Sequence, residues 1–156
     1  MKRAQAMFET LIAVLVIMLI FTGAFRISRM LAARTVLDYA AARAARAKAV
    51  GFNDFMCVKS ARAAMIPVAG KRLWPTDNEV DEVYRVPIYM ASENYPHANG
   101  VLEYEYWHTT SIDVESGSGF TPEVDAELHM YTDEFEATGR AKIESHFPFY
   151  MYDQGR

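Results

Sequence analysis

Side chains able to do chemistry are few in this chain and widely scattered. The histidines are His97, His108, His129 and His146, and the one cysteine is Cys57. No His-Glu-x-x-His pairing sets two imidazoles one helical turn apart, and no ligand pair has helical metal spacing. His108, His129 and His146, with Glu127 and Glu144 nearby, would meet only across neighbouring strands. In that setting a structural or solvent-facing histidine is the plainer reading. There is no glycine-rich phosphate loop and no Gly-x-Ser-x-Gly, and the acidic loops lack EF-hand spacing for calcium. Cys57 sits between Met56 and Val58 with no histidine close in sequence. A lone thiol in apolar company acts first as a small hydrophobe; in an oxidising compartment its other use is an intermolecular disulfide. The carboxylates read as a solvated sheet face, not an acid/base pair. The expectation is no enzyme, no cofactor and no metal.

One carboxylate stands apart. Glu9 is the single charge in the run Met7–Phe25, 19 residues with no proline and one glycine, Gly23. A helix of that length reaches roughly 28 Å, close to the hydrocarbon thickness of a bilayer. Lys2 and Arg3 precede it, and Arg26 and Arg29 follow. A secretory signal would be shorter and would end at a small-residue cleavage site, whereas here the run ends in Arg26-Ile27-Ser28-Arg29. The flanking charges oppose one another and leave topology open. A carboxylate in an apolar helix is costly and marks a functional position by default. Near the helix N-terminus it is favoured by the helix dipole; the plain alternative is a hydrated Glu at headgroup level.

The elements that must position these residues divide by charge. Residues 1–72 hold 12 Lys or Arg against 3 Asp or Glu, whereas residues 73–156 hold 4 against 17. Both tryptophans and eight of the nine tyrosines follow Arg72. The apolar content, 51%, is too high for a disordered acidic tail. A single cysteine excludes an intrachain disulfide framework.

From Arg26 to Ala49 there is neither Gly nor Pro and alanine dominates, so the apolar helix should run on without a break and cap at Gly51. Ile27, Met30, Leu31, Leu37 and Ala41 recur at three- and four-residue steps, a narrow stripe of small and apolar residues suited to close helix packing. The arginines fit a solvated face, lipid headgroups or an acidic partner; a basic surface tied to a membrane span argues against nucleic acid.

This segment resembles type IV pilin-type prepilins: Lys2-Arg3-Ala4, then Gln5-Ala6-Met7-Phe8, then Glu9, then an apolar run. The longer pattern resembles TadE-like proteins, pseudopilins of tight-adherence (Tad/Flp) pilus systems. It continues through Arg26, Arg29, Ala33-Arg34 and the stretch Asp38-Tyr39-Ala40-Ala41-Ala42-Arg43-Ala44-Ala45-Arg46-Ala47, and covers roughly residues 3–50. The resemblance implies a leader, residues 1–4, cut by a prepilin peptidase between Ala4 and Gln5. Ala4 stands where prepilins usually carry Gly. The new amino group of Gln5 would then pair with Glu9 of a neighbouring subunit. It also implies an N-terminus in the cytoplasm, a head outside the bacterial inner membrane, and as partners other pilin subunits, an inner-membrane assembly platform and the lipid bilayer.

A short second helix is expected over Asn53–Ala64, ending before Pro67, and a turn-rich linker over Lys71–Asn78. Beyond it the period becomes two. Val83, Arg85 and Pro87 alternate with Tyr84, Val86, Ile88 and Met90, which predicts an edge strand. Tyr95–Gly100 is a loop. Leu102, Tyr104 and Tyr106 alternate with Glu103, Glu105 and Trp107, which predicts another strand. Ser116–Gly119 is a flexible connection. Val124, Ala126, Leu128 and Met130 alternate with polar residues, as do Ala141, Ile143, Ser145 and Phe147.

The expected fold is α+β: a long N-terminal transmembrane helix continuing into an amphipathic helix, packed on an antiparallel sheet of about four strands. The expected segments are leader 1–4, transmembrane helix 5–25, Ala/Arg-rich helical region 26–72 and β-rich head 73–156. The expected function is a structural minor pilin or pseudopilin in pilus assembly or initiation. The alternatives are a single-span membrane protein with an extracytoplasmic protein- or ligand-binding β domain, and a membrane-tethered metal enzyme using the histidines.

Overall fold

A computed structural model describes residues 2–76, 82–92, 101–117 and 123–144, with side chains from Met7 onward. His97, His146, Asn99-Gly100, Ser118-Gly119, Ser145 and Phe147 lie outside the described residues. The chain divides into two compact units, Met1–Ala32 and Ala33–Arg156.

The first unit is helical throughout its described residues and belongs to helix α1, Lys2–Ala49. Its side chains are those a water-soluble helix would hide. Met7, Leu19 and Phe21 are each more than 70% exposed, and from Met7 to Phe25 not one residue is buried. Among the described residues this is the one helix long and apolar enough to cross a membrane. Thr10 and Thr22 donate their hydroxyls to the carbonyls of Met7 (2.9 Å) and Met18 (2.8 Å), so neither adds an unsatisfied polar group to the run.

In the second unit α1 becomes amphipathic. Ala33, Leu37, Ala40, Ala41, Ala44 and Ala45 are buried, at the three- and four-residue steps of one helix face. Arg34, Arg43 and Arg46 are exposed. The helix ends where Gly51 adopts φ 97°, a conformation that costs glycine nothing. Phe52 N–H bonds Ala47 O at 3.1 Å and Gly51 N–H bonds Lys48 O at 2.9 Å, the paired bonds of a Schellman cap. Helix α2, Asp54–Ala64, follows Asn53, and a 3-10 turn at Ile66–Val68 accommodates Pro67.

Strand β1, Arg72–Trp74, pairs antiparallel with β2, Glu103–Tyr104. The larger sheet has three strands in the order β3-β4-β5, all antiparallel: β3 Thr110–Ser116, β4 Glu123–Tyr131 and β5 Glu136–Glu144. Val124, Ala126, Leu128 and Met130 fill the inner face, with Ala137 and Gly139 beside them. The outer face carries Asp113, Asp125, Glu127, Arg140 and Lys142 among others.

The continuous α1, its cap at Gly51, α2 and strand β4 agree with the sequence reading; β5 agrees over residues 140–144 but begins earlier, at Glu136. Several other expectations are corrected. Residues 83–90 form helix α3, Glu82–Ala91, not an edge strand. Tyr89 is buried and Arg85, Val86 and Met90 are half-buried, while Val83, Tyr84, Pro87 and Ile88 are exposed. That is a 3.6-residue period in a segment too short for alternation to exclude it. Pro87 and Val83 are both exposed, so the carbonyl that proline deprives of a donor lies on the solvent side.

The expected linker contains β1, followed by a cis Trp74–Pro75 bond. The strand expected over Leu102–Trp107 stops at Tyr104. A 3-10 turn, Glu105–Trp107, then swings Trp107 inward beside Leu102 and Tyr104. Among the described residues a three-stranded sheet and a separate strand pair stand in place of the expected single sheet of about four strands.

Candidate functional site

The residues singled out in sequence, Ala4, Gln5 and Glu9, all fall in α1. Gln5 and Glu9 are four positions apart, and so share one helix face. Glu9 is exposed, with Met7 and Phe8 exposed beside it (75% and 66%). At the other end of the apolar run the Arg29 guanidinium lies 6.0 Å from the Phe25 ring centroid. A cation over an aromatic ring suits the boundary between lipid tails and headgroups.

In the second unit the sheet seats directly on the helix backbone. Gly139 of β5 packs against Leu37, and the Arg140 N–H donates to Asp38 Oδ1 at 3.0 Å. Alanines on the helix and glycine on the strand permit this approach; a larger side chain on either side would prevent it.

The two described histidines, His108 and His129, face different carboxylates. His108 Nε2 lies 2.7 Å from Glu103 Oε1, and His129 Nε2 lies 3.1 Å from Glu127 Oε1. Among the described residues no three His, Cys, Asp or Glu side chains are placed to hold a metal ion. Glu127 also pairs with Arg140, whose hydrogen bond holds the Glu127 carboxyl below its usual range. Cys57 is buried, its sulfur 3.8 Å from Phe52 O, and burial pushes the thiol pKa up. That is an unreactive environment.

A polar-edged aromatic cluster escaped the sequence reading. Trp107 packs in tilted contacts with Tyr89 (centroids 5.1 Å) and Tyr104 (5.0 Å), with the Arg62 guanidinium 5.9 Å from its ring. Burial raises the Tyr89 pKa, and Arg62 partly offsets this. Close by, Lys59 is almost fully buried. Its ammonium donates to Ser92 O and Oγ beyond the end of α3, and lies 5.4 Å from the Tyr89 ring. Burial lowers its pKa. The cation satisfies a carbonyl and a hydroxyl at the negative end of a helix, which is a structural task. The sequence signal available was Trp107 close behind Tyr104 and Tyr106, masked by assigning alternate faces to Tyr104 and Trp107.

An exposed apolar helix carries one carboxylate, and a small sheet domain is built on that helix's alanine-rich continuation. No family model matches the chain, and no curated protein or solved structure matches it either.

Proposed function

We propose that this chain is a non-enzymatic structural subunit, a minor pilin or pseudopilin of a Tad-type, type IV-like pilus or related secretion apparatus. The observation that carries the reading is helix α1. Its run Met7–Phe25 is apolar, exposed and carries Glu9 as its one charge; its alanine-rich later part buries one face in the sheet-bearing unit. A helix that needs lipid at one end and carries a folded head at the other suits a subunit that waits in the membrane and is drawn into a helical bundle. In this reading a prepilin peptidase cuts between Ala4 and Gln5. The new α-amino group pairs with Glu9 of a neighbouring subunit, where low dielectric strengthens the attraction and makes an unpaired charge costly. The head then lies outside the bacterial inner membrane.

The test is intact-mass measurement of the chain extracted from membranes of cells holding a prepilin peptidase. An N-terminus at Gln5 is expected. A chain that keeps Met1 or Lys2-Arg3 in those cells would sink the processing step and favour a permanently anchored single-span protein.

A further inference from the structure

The outer face of the three-stranded sheet places like charges in register. Asp113 stands directly opposite Glu127, Glu115 opposite Asp125, and Glu123 opposite Glu144. Directly opposed like charges destabilise an antiparallel pair. Internal compensation is partial: Arg140 pairs with Glu127, and Lys142 pairs with Glu123 at 2.5 Å. Asp113 and Glu115 of the edge strand β3 make no ion pair among the described residues.

The same unit carries the opposite charge on its other layer. Arg34, Arg43 and Arg46 are exposed on α1 and make no ion pair among the described residues. Arg43 and Arg46 lie on the side of the helix away from Leu37 and Ala44, and Arg43 donates to the Tyr39 hydroxyl (3.4 Å). Tyr39, beside them, is 54% exposed.

We propose that the acidic outer face of the sheet in one copy docks on the arginine face of α1 in a second copy. Three features of this unit support that occupant. The charges are complementary, and each set lacks a full complement among the described residues of its own chain. The lengths match: the helix from Ala33 to Ala49 reaches about 25 Å, and the nine-residue strands β4 and β5 about 30 Å. Most tellingly, the sheet and helix pack through their inner faces at Gly139 and Leu37. Their charged faces therefore point in opposite directions.

A copy docked on the sheet side leaves the helix side open for another. Such a heterologous contact repeats as a ring or an open array and is not the self-complementary contact of a two-fold dimer. The inference goes beyond the proposed function, because it requires neither cleavage after Ala4 nor pairing at Glu9.

Charge reversal tests it in the full chain, purified in a neutral detergent and followed by sedimentation velocity. The wild type should form a concentration-dependent series of oligomers that weakens at least tenfold between about 50 and 500 mM salt. The pair Asp113→Lys, Glu115→Lys and the pair Arg43→Glu, Arg46→Glu should each be monomeric alone, and mixing the two variants should restore association. The mixture guards against misfolding, since unfolded chains would not recover by being combined; circular dichroism of each variant provides the second check. Association that ignores salt, a closed dimer only, or folded variants that fail to combine would overturn the proposal. If Arg43→Glu, Arg46→Glu instead loses binding to phosphatidylglycerol vesicles while self-association persists, the helix face serves lipid and the proposal falls.

Discussion

A Cβ placed on Gly139 would stand 2.3 Å from the Leu37 carbonyl carbon and 2.5 Å from its oxygen. Strand β5 thus rests on helix backbone, not on side chains, and glycine is the residue that allows it. The adjacent Arg140 N–H fixes the register by donating to Asp38, a contact spanning 102 positions of sequence. The helix and sheet are locked together at this one crossing.

Gly139→Ala should therefore be costly. The neighbours it meets are backbone atoms that cannot swing aside, so the substitution must separate β5 from α1. We expect a loss of about 2–3 kcal/mol, near the upper end for overpacking. Urea unfolding of the full chain in detergent, followed by tryptophan fluorescence, measures it. A stability equal to wild type would mean that helix and sheet are not in this contact.

Trp107 should be the largest single side-chain contributor to the second unit. It is 3% exposed and touches two aromatic rings and a guanidinium. Trp107→Ala is expected to cost about 3–5 kcal/mol. Trp107→Phe, which keeps part of the ring contact, should cost distinctly less. Near-ultraviolet circular dichroism should lose intensity in the first and retain much of it in the second.

How much was legible in sequence followed from how strongly each segment is patterned. The apolar run and then, from Arg26 to Ala49, alanines without Gly or Pro define α1, and the paired hydrogen bonds at Gly51 and Phe52 complete its cap. Val124, Ala126, Leu128 and Met130 define β4 because four apolar residues alternate without exception. Strand β3 offers only Ile112 and Val114 between acidic residues, too little to mark it without its register against β4. Helix α3 reads equally well at period two over its eight central residues, and only the burial of Tyr89 with Val86 and Met90 decides it. Trp107 reaches the core through a 3-10 turn that rotates it by tertiary packing, a change no local pattern encodes. For the candidate site, Glu9 was legible because one charge in 19 apolar residues is conspicuous. The seat of Gly139 on Leu37 depends on residues a hundred positions apart and was not.

Cys57 should be inert in the folded protein. It is wholly buried, and burial raises its pKa, so little thiolate is present near neutrality. A chromogenic disulfide reagent should react at least tenfold more slowly with the native chain than with the chain in urea. A non-reducing gel should show monomer alone. Rapid native labelling or a disulfide-linked dimer would contradict the burial.

Glu127 should lend the sheet a part of its stability that acid removes. Its hydrogen bond from Arg140 lowers the folded-state pKa from the ordinary 4.5. The sign follows from linkage: the contribution is complete above the unfolded-chain value and is lost as pH falls through the folded one. The pair is solvent-exposed, so the effect is small and screened by salt. Glu127→Gln should flatten part of the stability loss below about pH 4.5 in low salt, and should change little at pH 7. An identical acid profile for variant and wild type would remove the Arg140 pair as a contributor.

Glu9 separates anchoring from assembly. The apolar run is long enough to span a bilayer without it, and replacing a carboxylate by a methyl group makes insertion easier. Glu9→Ala should therefore fractionate with membranes as the wild type does. Incorporation into a filament or assembly intermediate is a different matter if a neighbour's α-amino group is its partner. Removing one member of a low-dielectric ion pair leaves the other charge uncompensated, at a cost of about 3–5 kcal/mol. Incorporation, read by quantitative immunoblot of sheared surface material against membrane-retained protein, should fall at least tenfold. Glu9→Asp should recover part of it, because the charge remains and only its reach shortens. Undiminished incorporation of Glu9→Ala would show that the carboxylate is merely hydrated at headgroup level.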